Sequence, residues 1–206
     1  MHLHIGRRGR AAIVPALAAG LTLPLMLATP AAAASTGTVS RSGGTVTFVP
    51  LAGAANRVTF YVAGDLTHLR VSDPSGITAG AGCTQTSATT ATCGTITAVT
   101  GIHADGGDGN DRLSAEHLNI PAVFDGGPGQ DVLVGGTADD QLTDPDGWPS
   151  RPLQATFRGG AGNDTVTSRN GGYDRVECEG GTADTVTADS VILDRVTNTC
   201  ETINRG

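Results

Sequence analysis

Gly126-Gly127-Pro128-Gly129-Gln130-Asp131-Val132-Leu133-Val134 runs without a break into Gly135-Gly136-Thr137-Ala138-Asp139-Asp140-Gln141-Leu142-Thr143. Each nonapeptide opens on a glycine pair, carries aspartate at its sixth position and a large apolar residue at its eighth. The glycines permit a tight turn, and the triplet after each aspartate places an apolar residue in the middle of a short strand. A turn and a strand repeated in tandem predict a solenoid, in which each unit buries only its neighbour's face.

The pattern extends outward in both directions. Gly106-Gly107-Asp108-Gly109-Asn110-Asp111-Arg112-Leu113-Ser114 precedes it, and Gly159-Gly160-Ala161-Gly162-Asn163-Asp164-Thr165-Val166-Thr167 follows. Weaker copies centre on Gly171-Gly172-Tyr173-Asp174-Arg175-Val176 and Gly180-Gly181-Thr182-Ala183-Asp184-Thr185-Val186. Asp111 and Asp131 are 20 residues apart, near one full coil, with Leu118 to Ile120 and Ala122 to Phe124 available for the opposite strand. Asp131 and Asp140 are nine apart, half a coil. Asp164, Asp174, Asp184 and Asp194 then recur every ten residues, each before Thr-Val or Arg-Val, so the C-terminal part keeps the solenoid with looser turns.

These copies match Gly-Gly-x-Gly-x-Asp-x-(large apolar)-x, and the array resembles the hemolysin-type, or RTX, calcium-binding repeats. The resemblance covers roughly the last half of the chain. It implies a parallel β-roll with two nonapeptides per coil and Ca2+ held between loops stacked on the same side. Such an ion would bridge aspartates about two repeats apart. The physical reading agrees: Ca2+ takes about six to eight oxygen ligands, which turned-in carbonyls and aspartates supply. The candidate ligands are Gly107, Asp108, Gly109 and Asp111; Gly127, Gly129 and Asp131; Gly136, Asp139 and Asp140; Gly160, Gly162 and Asp164; and Asp174 and Asp184 in the weaker copies. The departures are Ala138 at a fourth position, Gln130 at a fifth, and the disturbed glycine pairs from Asp174 onward. A turn array that binds nothing tightly is the competing reading.

The N-terminus reads as a signal peptide over residues 1–34: Arg7, Arg8 and Arg10, an apolar run from Ala11 to Leu27, then Pro30 and Ala31-Ala32-Ala33-Ala34. RTX proteins are usually exported through a C-terminal signal, so that route is not implied for this chain. The plan of leader, β region, degenerate repeats and late cysteine pair is similar to small secreted actinobacterial proteins. Removing the leader leaves 206 − 34 = 172 residues, and the formal charge becomes 10 − 20 = −10. There is no Lys, and so acidic a surface argues against nucleic acid or anionic membrane and suits cations. No later stretch is long and apolar enough to span a bilayer.

Residues 35–100 alternate near period two at Thr45 to Val49, Arg57 to Val62, His68 to Ser72 and Ile96 to Val99, which predicts a small β region or a cap over the solenoid. The repeats occupy residues 101–206, with a looped insertion near 144–158 turned by Asp144-Pro145-Asp146-Gly147-Trp148-Pro149. The expected class is therefore all-β: parallel β-roll repeats preceded by a small β region. Aromatic content is 3%, so Val, Leu, Ile and Thr are expected to build the core. Four cysteines allow three pairings; local closure favours Cys83–Cys93 and Cys178–Cys200 over a zinc site, which would want closer cysteine pairs. His68, His103 and His117 lie in no compact catalytic motif, and Ser114-Ala115-Glu116-His117 makes poor triad geometry if it continues a strand. The chain is thus expected to be a secreted, non-enzymatic calcium-binding protein. The alternative is an extracellular binding module with a structural solenoid, whose partner is a cell-envelope protein or glycan.

Overall fold

The structure is a computed structural model that describes His2, residues 35–146 and residues 155–206. The expected signal peptide (His2 apart) and the Trp148 loop lie outside the described residues.

Alternation of buried and open side chains, already visible in Arg57-Val58-Thr59-Phe60, sets where strands form. In the N-terminal part they are β1 (Gly37–Ser42), β2 (Thr45–Pro50), β3 (Arg57–Val62), β4 (His68–Ser72), β5 (Thr78–Ala79), β6 (Thr84–Ser87) and β7 (Thr90–Thr95). The repeats contribute β8 (Gly101–Asp105), β9 (Arg112–Ser114), β10 (Ala122–Asp125), β11 (Val132–Val134), β12 (Gln141–Thr143) and β13 (Thr156–Ala161). They continue with β14 (Thr165–Thr167), β15 (Arg175–Gly180), β16 (Thr185–Ala188), β17 (Arg195–Val196) and β18 (Thr202–Arg205).

From β8 onward, successive strands alternate between two sheets, and each pairs in parallel with the strand two places away. Sheet A runs β18-β16-β14-β12-β10-β8-β2-β1-β5, and sheet B runs β17-β15-β13-β11-β9-β3-β4-β7-β6. Identical register makes each core position a column. In sheet B, Val58, Leu113, Leu133, Phe157, Val176 and Val196 stack across six strands. In sheet A, Phe48, Ala104, Phe124, Leu142, Val166, Val186 and Ile203 do the same across seven. This is the expected β-solenoid, built as parallel coils with a small β region ahead of them.

Several expectations need correction. All four Phe residues are fully buried (Phe48, Phe60, Phe124 and Phe157), with the Phe60 and Phe124 rings stacked 5.9 Å apart. The few aromatics thus supply the core's bulk, while threonine sits chiefly on outer faces. Ile96–Ala98 is a 3-10 turn rather than a strand, closed by Val99 N–H donating to Ile96 C=O, because this segment must cross from sheet B to sheet A. The strand lies just beyond, at β8. Thr156 to Arg158, placed in the insertion by sequence, already belong to β13. Ser114 ends β9, but Leu118 N–H bonds to Ala115 C=O, so Glu116 and His117 belong to a turn.

The sheets do not break near residue 100: β2 pairs in parallel with β8, and β3 with β9. The antiparallel pairs β1–β2, β3–β4, β4–β7 and β6–β7 cover that end. The Cys83–Cys93 and Cys178–Cys200 disulfides both form. The first ties β7 to the segment before β6; the second ties β15 to the residue two before β18.

Candidate metal centre

The register that stacks the core also stacks the residue just before each strand. On the sheet B side this column is Asn56, Asp111, Asp131, Ala155, Asp174 and Asp194. On the sheet A side it is Asp140, Asp164, Asp184 and Glu201, with Ala122, the first residue of β10, level with Asp140. Every aspartate in both columns is buried.

One oxygen of each carboxylate has a fixed duty: it accepts the backbone N–H of the equivalent residue one coil earlier. Asn56 N–H donates to Asp111 Oδ1 at 2.5 Å, and Asp111 N–H to Asp131 Oδ1 at 2.7 Å. Beyond the gap, Ala155 N–H donates to Asp174 Oδ1 at 2.8 Å and Asp174 N–H to Asp194 Oδ1 at 3.2 Å. On the other side Ala122, Asp140 and Asp164 donate to Asp140, Asp164 and Asp184 at 2.7, 2.9 and 2.7 Å, and Asp184 donates to Glu201 Oε2 at 2.8 Å. The sixth-position aspartate therefore completes the hydrogen bonding of turns whose amides the sheet does not pair.

The second oxygen divides the set. Asp140 Oδ2 accepts Gly136 N–H at 2.6 Å, and Asp194 Oδ2 accepts the Ser168 hydroxyl and Asp189 N–H. Oδ2 of Asp111, Asp131, Asp164, Asp174 and Asp184 is buried with no hydrogen-bond partner in the protein. A buried carboxylate oxygen in that state needs a proton or a cation. Burial, with repulsion from neighbouring carboxylates, raises the carboxyls accordingly: Asp111 to about 6, Asp164 and Asp174 to about 7, and Asp131 to about 8.

The glycines make room for this chemistry. A Cβ on Gly106, Gly126 or Gly159 would fall 2.9, 2.8 or 2.3 Å from Oδ2 of Asp111, Asp131 or Asp164 respectively. In these three turns the first glycine of the pair is therefore the wall of a carboxylate cradle; at Asp184 the second glycine, Gly181, takes that place. The second and fourth positions serve stacking: a Cβ on Gly127 would sit 2.5 Å from Gly107 C=O, and one on Gly162 2.5 Å from Ala138 C=O. Asp108 and Asp139, both candidate ligands by sequence, are instead exposed, and Asp139 Oδ1 accepts Asn163 N–H. Gly107, Gly109, Gly129 and Gly136 lie in the stacked turns next to the cradles, and Gly160 follows Gly159 within β13.

Asp131, Asp144 and Asp146 each place one carboxylate oxygen within 4.8 Å of the other two. Asp144 and Asp146 were not among the candidates from sequence, being assigned to the insertion. The available signal was positional: Asp125 pairs with Thr143, so Asp144-Pro145-Asp146 takes the place of Gly126-Gly127-Pro128 one coil on. Asn56 and Glu201, which end the two columns, were also missed because neither stands in a glycine turn.

The donors are all oxygen. The four cysteines are in disulfides, which leaves a set suited to a hard cation and not to a thiolate metal. Orphaned buried oxygens fit a hard cation, with Asp111, Asp131, Asp164, Asp174 and Asp184 as the residues that would hold it, and glycine keeps the surroundings of all but Asp174 free of side chains. Fold and centre together define a disulfide-stabilised β-solenoid with carboxylate-lined turns. Comparison with protein-family models, curated proteins and solved structures finds no match to the chain.

Proposed function

We propose that this is a secreted, non-enzymatic β-solenoid of the RTX kind whose turns take up Ca2+, the ion stabilising the fold outside the cell. The observation that carries the reading is the row of buried carboxylate oxygens lacking a partner, at five aspartates of the two columns. A cation between stacked turns would neutralise them where burial disfavours their charge, and metal binding would then add to folding free energy. Among the described residues no helix is long and apolar enough to cross a membrane. Calorimetric titration of chelated protein beginning at Ser35 tests the reading. Saturable uptake of several Ca2+ per chain supports it; a flat titration of folded protein removes it.

A second reading has its own observation. The carboxylates already complete the backbone hydrogen bonding without an ion, so the solenoid can be purely structural and serve as a binding module. Sheet A offers a face for this: Gln141, Thr143, Thr165, Thr167, Thr185 and Thr187 flank buried residues on three adjacent strands, and none is charged in an acidic chain. Such a face suits a neutral glycan. Co-sedimentation with insoluble envelope polysaccharide, repeated with Thr165→Lys and Thr187→Lys, tests it. Unchanged sedimentation would take this face out of the binding account.

A further inference from the structure

The turns of Asp111, Asp164, Asp174 and Asp184 offer one unpartnered oxygen apiece, but one place in the fold offers three. Each of the three carboxylates that converge there carries an oxygen without a hydrogen-bond partner: Asp131 Oδ2, Asp144 Oδ2 and Asp146 Oδ1. Asp131 and Asp144 are each 1% exposed, so water cannot screen them. Their other oxygens are held. Asp131 Oδ1 accepts Asp111 N–H, Asp144 Oδ1 accepts Asp146 N–H, and Asp146 Oδ2 accepts Gly129 N–H from the turn one coil earlier. The free oxygens are therefore pre-positioned by bonds on the opposite side of each carboxylate. Among the described residues no Arg or His pairs with any of the three; the ion pairs are His68–Asp65, His117–Glu116, Arg158–Glu177 and Arg175–Glu177.

The next coil shows what the same position looks like without this demand. Ser168 stands where Asp144 stands, and its hydroxyl donates to Asp194 Oδ2. There the fold satisfies its own carboxylate. At Asp144 it adds a second and a third acid instead, which is costly without a cation.

We propose that Asp131, Asp144 and Asp146 form a calcium site of their own, built by the Asp144-Pro145-Asp146 turn in place of a glycine turn, and the tightest in the chain. The site rests on the reading of the solenoid as a calcium binder, but it does not follow from the nonapeptide, which places glycine where Asp144 stands. Three carboxylate oxygens from two successive coils form an all-oxygen, strongly anionic donor set, and added ligand charge raises calcium affinity. Held by Asp131 and by the turn after β12, the ion clamps the longest coil among the repeats, where Val132 and its β13 partner Thr156 are 24 residues apart against 20 for Arg112 and Val132.

Terbium supplies a test that can be read site by site. Trp148 is the only tryptophan and follows Asp146 by two residues, a span of about 7 Å at full extension. Tb3+ at this site should be sensitised through Trp148, and Ca2+ should displace it. The full chain without its leader would be titrated with Tb3+, then Ca2+, beside D144N/D146N, the milder D146N, and E116Q, at an exposed carboxylate outside both aspartate columns. Expected is loss of Trp-sensitised emission in D144N/D146N, at least about tenfold weaker uptake in D146N, and unchanged emission in E116Q. Unaltered Trp-sensitised emission in D146N overturns the site, and so does its loss in E116Q. If the double variant fails to fold, D146N alone decides. Calorimetry in parallel separates the two levels of inference. Calcium uptake that persists undiminished in D146N removes this site only, whereas no uptake by the unaltered chain removes the calcium reading itself.

Discussion

The backbone N–H of Asp111 donates to the carboxylate of Asp131 one coil away, at 2.7 Å. The same bond recurs at Asp140 to Asp164 and Asp164 to Asp184. The two oxygens of the repeated aspartate thus differ: one closes the turn's hydrogen bonding, and at five of the seven column aspartates the other has no hydrogen-bond partner in the protein.

Substitution at Asp164 separates them. Asp164→Ala leaves the buried Asp140 N–H without its acceptor and should cost about 1–3 kcal/mol in chelator. Asp164→Asn keeps a carbonyl acceptor and removes a charge that burial disfavours, so in chelator it should be milder or neutral. Both should lose the calcium-dependent gain from this turn. Urea unfolding in chelator and in calcium reads all four values. Equal losses for Asn and Ala in chelator would mean that the ladder bond contributes little.

The cation-free protein should lose stability as pH rises. Burial raises Asp131 to about 8, and Asp164 and Asp174 to about 7, above their unfolded value of 3.8. The folded state therefore binds more protons than the unfolded state between those values. Stability is greatest below the unfolded pKa and declines through the window from 3.8 to about 8. Calcium should replace the protons, so its stabilisation should be larger at pH 8 than at pH 5, with proton release on binding near pH 7. Thermal unfolding of chelated protein across this range is the check; a melting temperature that climbs toward pH 8 contradicts it.

Two glycines with similar backbone angles should respond very differently to alanine. Gly162 has φ +112°, and its Cβ would meet Ala138 C=O at 2.5 Å, so two stacked turns must separate. Gly171 has φ +87° with nothing within 4 Å. Gly171→Ala should cost only the backbone term, about 1–2 kcal/mol. Gly162→Ala adds the clash and should cost roughly 3 kcal/mol or more. Denaturant midpoints compare the pair directly, and similar losses would show that the turns are not held in close stacking.

The parallel solenoid was legible because its signal is local and periodic: glycine pair, aspartate, then an apolar centre such as Leu133 or Val166. Asp164, Asp174, Asp184 and Asp194, ten apart, alternate between the two columns as half coils require. What sequence could not carry was pairing between coils. Asp108 and Asp139 looked as good as Asp111 and Asp140 in the string, yet they face outward, because only the residue next to the strand is turned under the neighbouring coil. Asp144 and Asp146 were hidden by the opposite effect. They stand outside any repeat, and only the register of β10 with β12 brings them over Asp131.

The Cys178–Cys200 disulfide should govern how the solenoid frays. Cys178 is in the core of β15, and Cys200 precedes Glu201, whose carboxylate accepts Asp184 N–H and ends one aspartate column. The last coil buries little: β17 is two residues long, and three of the four residues of β18 are exposed. Because a solenoid is stabilised coil by coil, losing the bridge should act first where it is tied and not uniformly. With both cysteines replaced by serine, β17 and β18 should lose amide protection against hydrogen exchange while β9 and β11 keep theirs. Freeing Glu201 also opens the amide of Asp184, so β16 should be the next to weaken. A bridge across this separation is worth about 3 kcal/mol in the chain-entropy account, enough to make an end coil with so little burial open readily once it is gone. Exchange measured strand by strand decides the matter. Uniform loss of protection along the chain would mean that the coils unfold as one unit and that the bridge stabilises the whole solenoid and not its end.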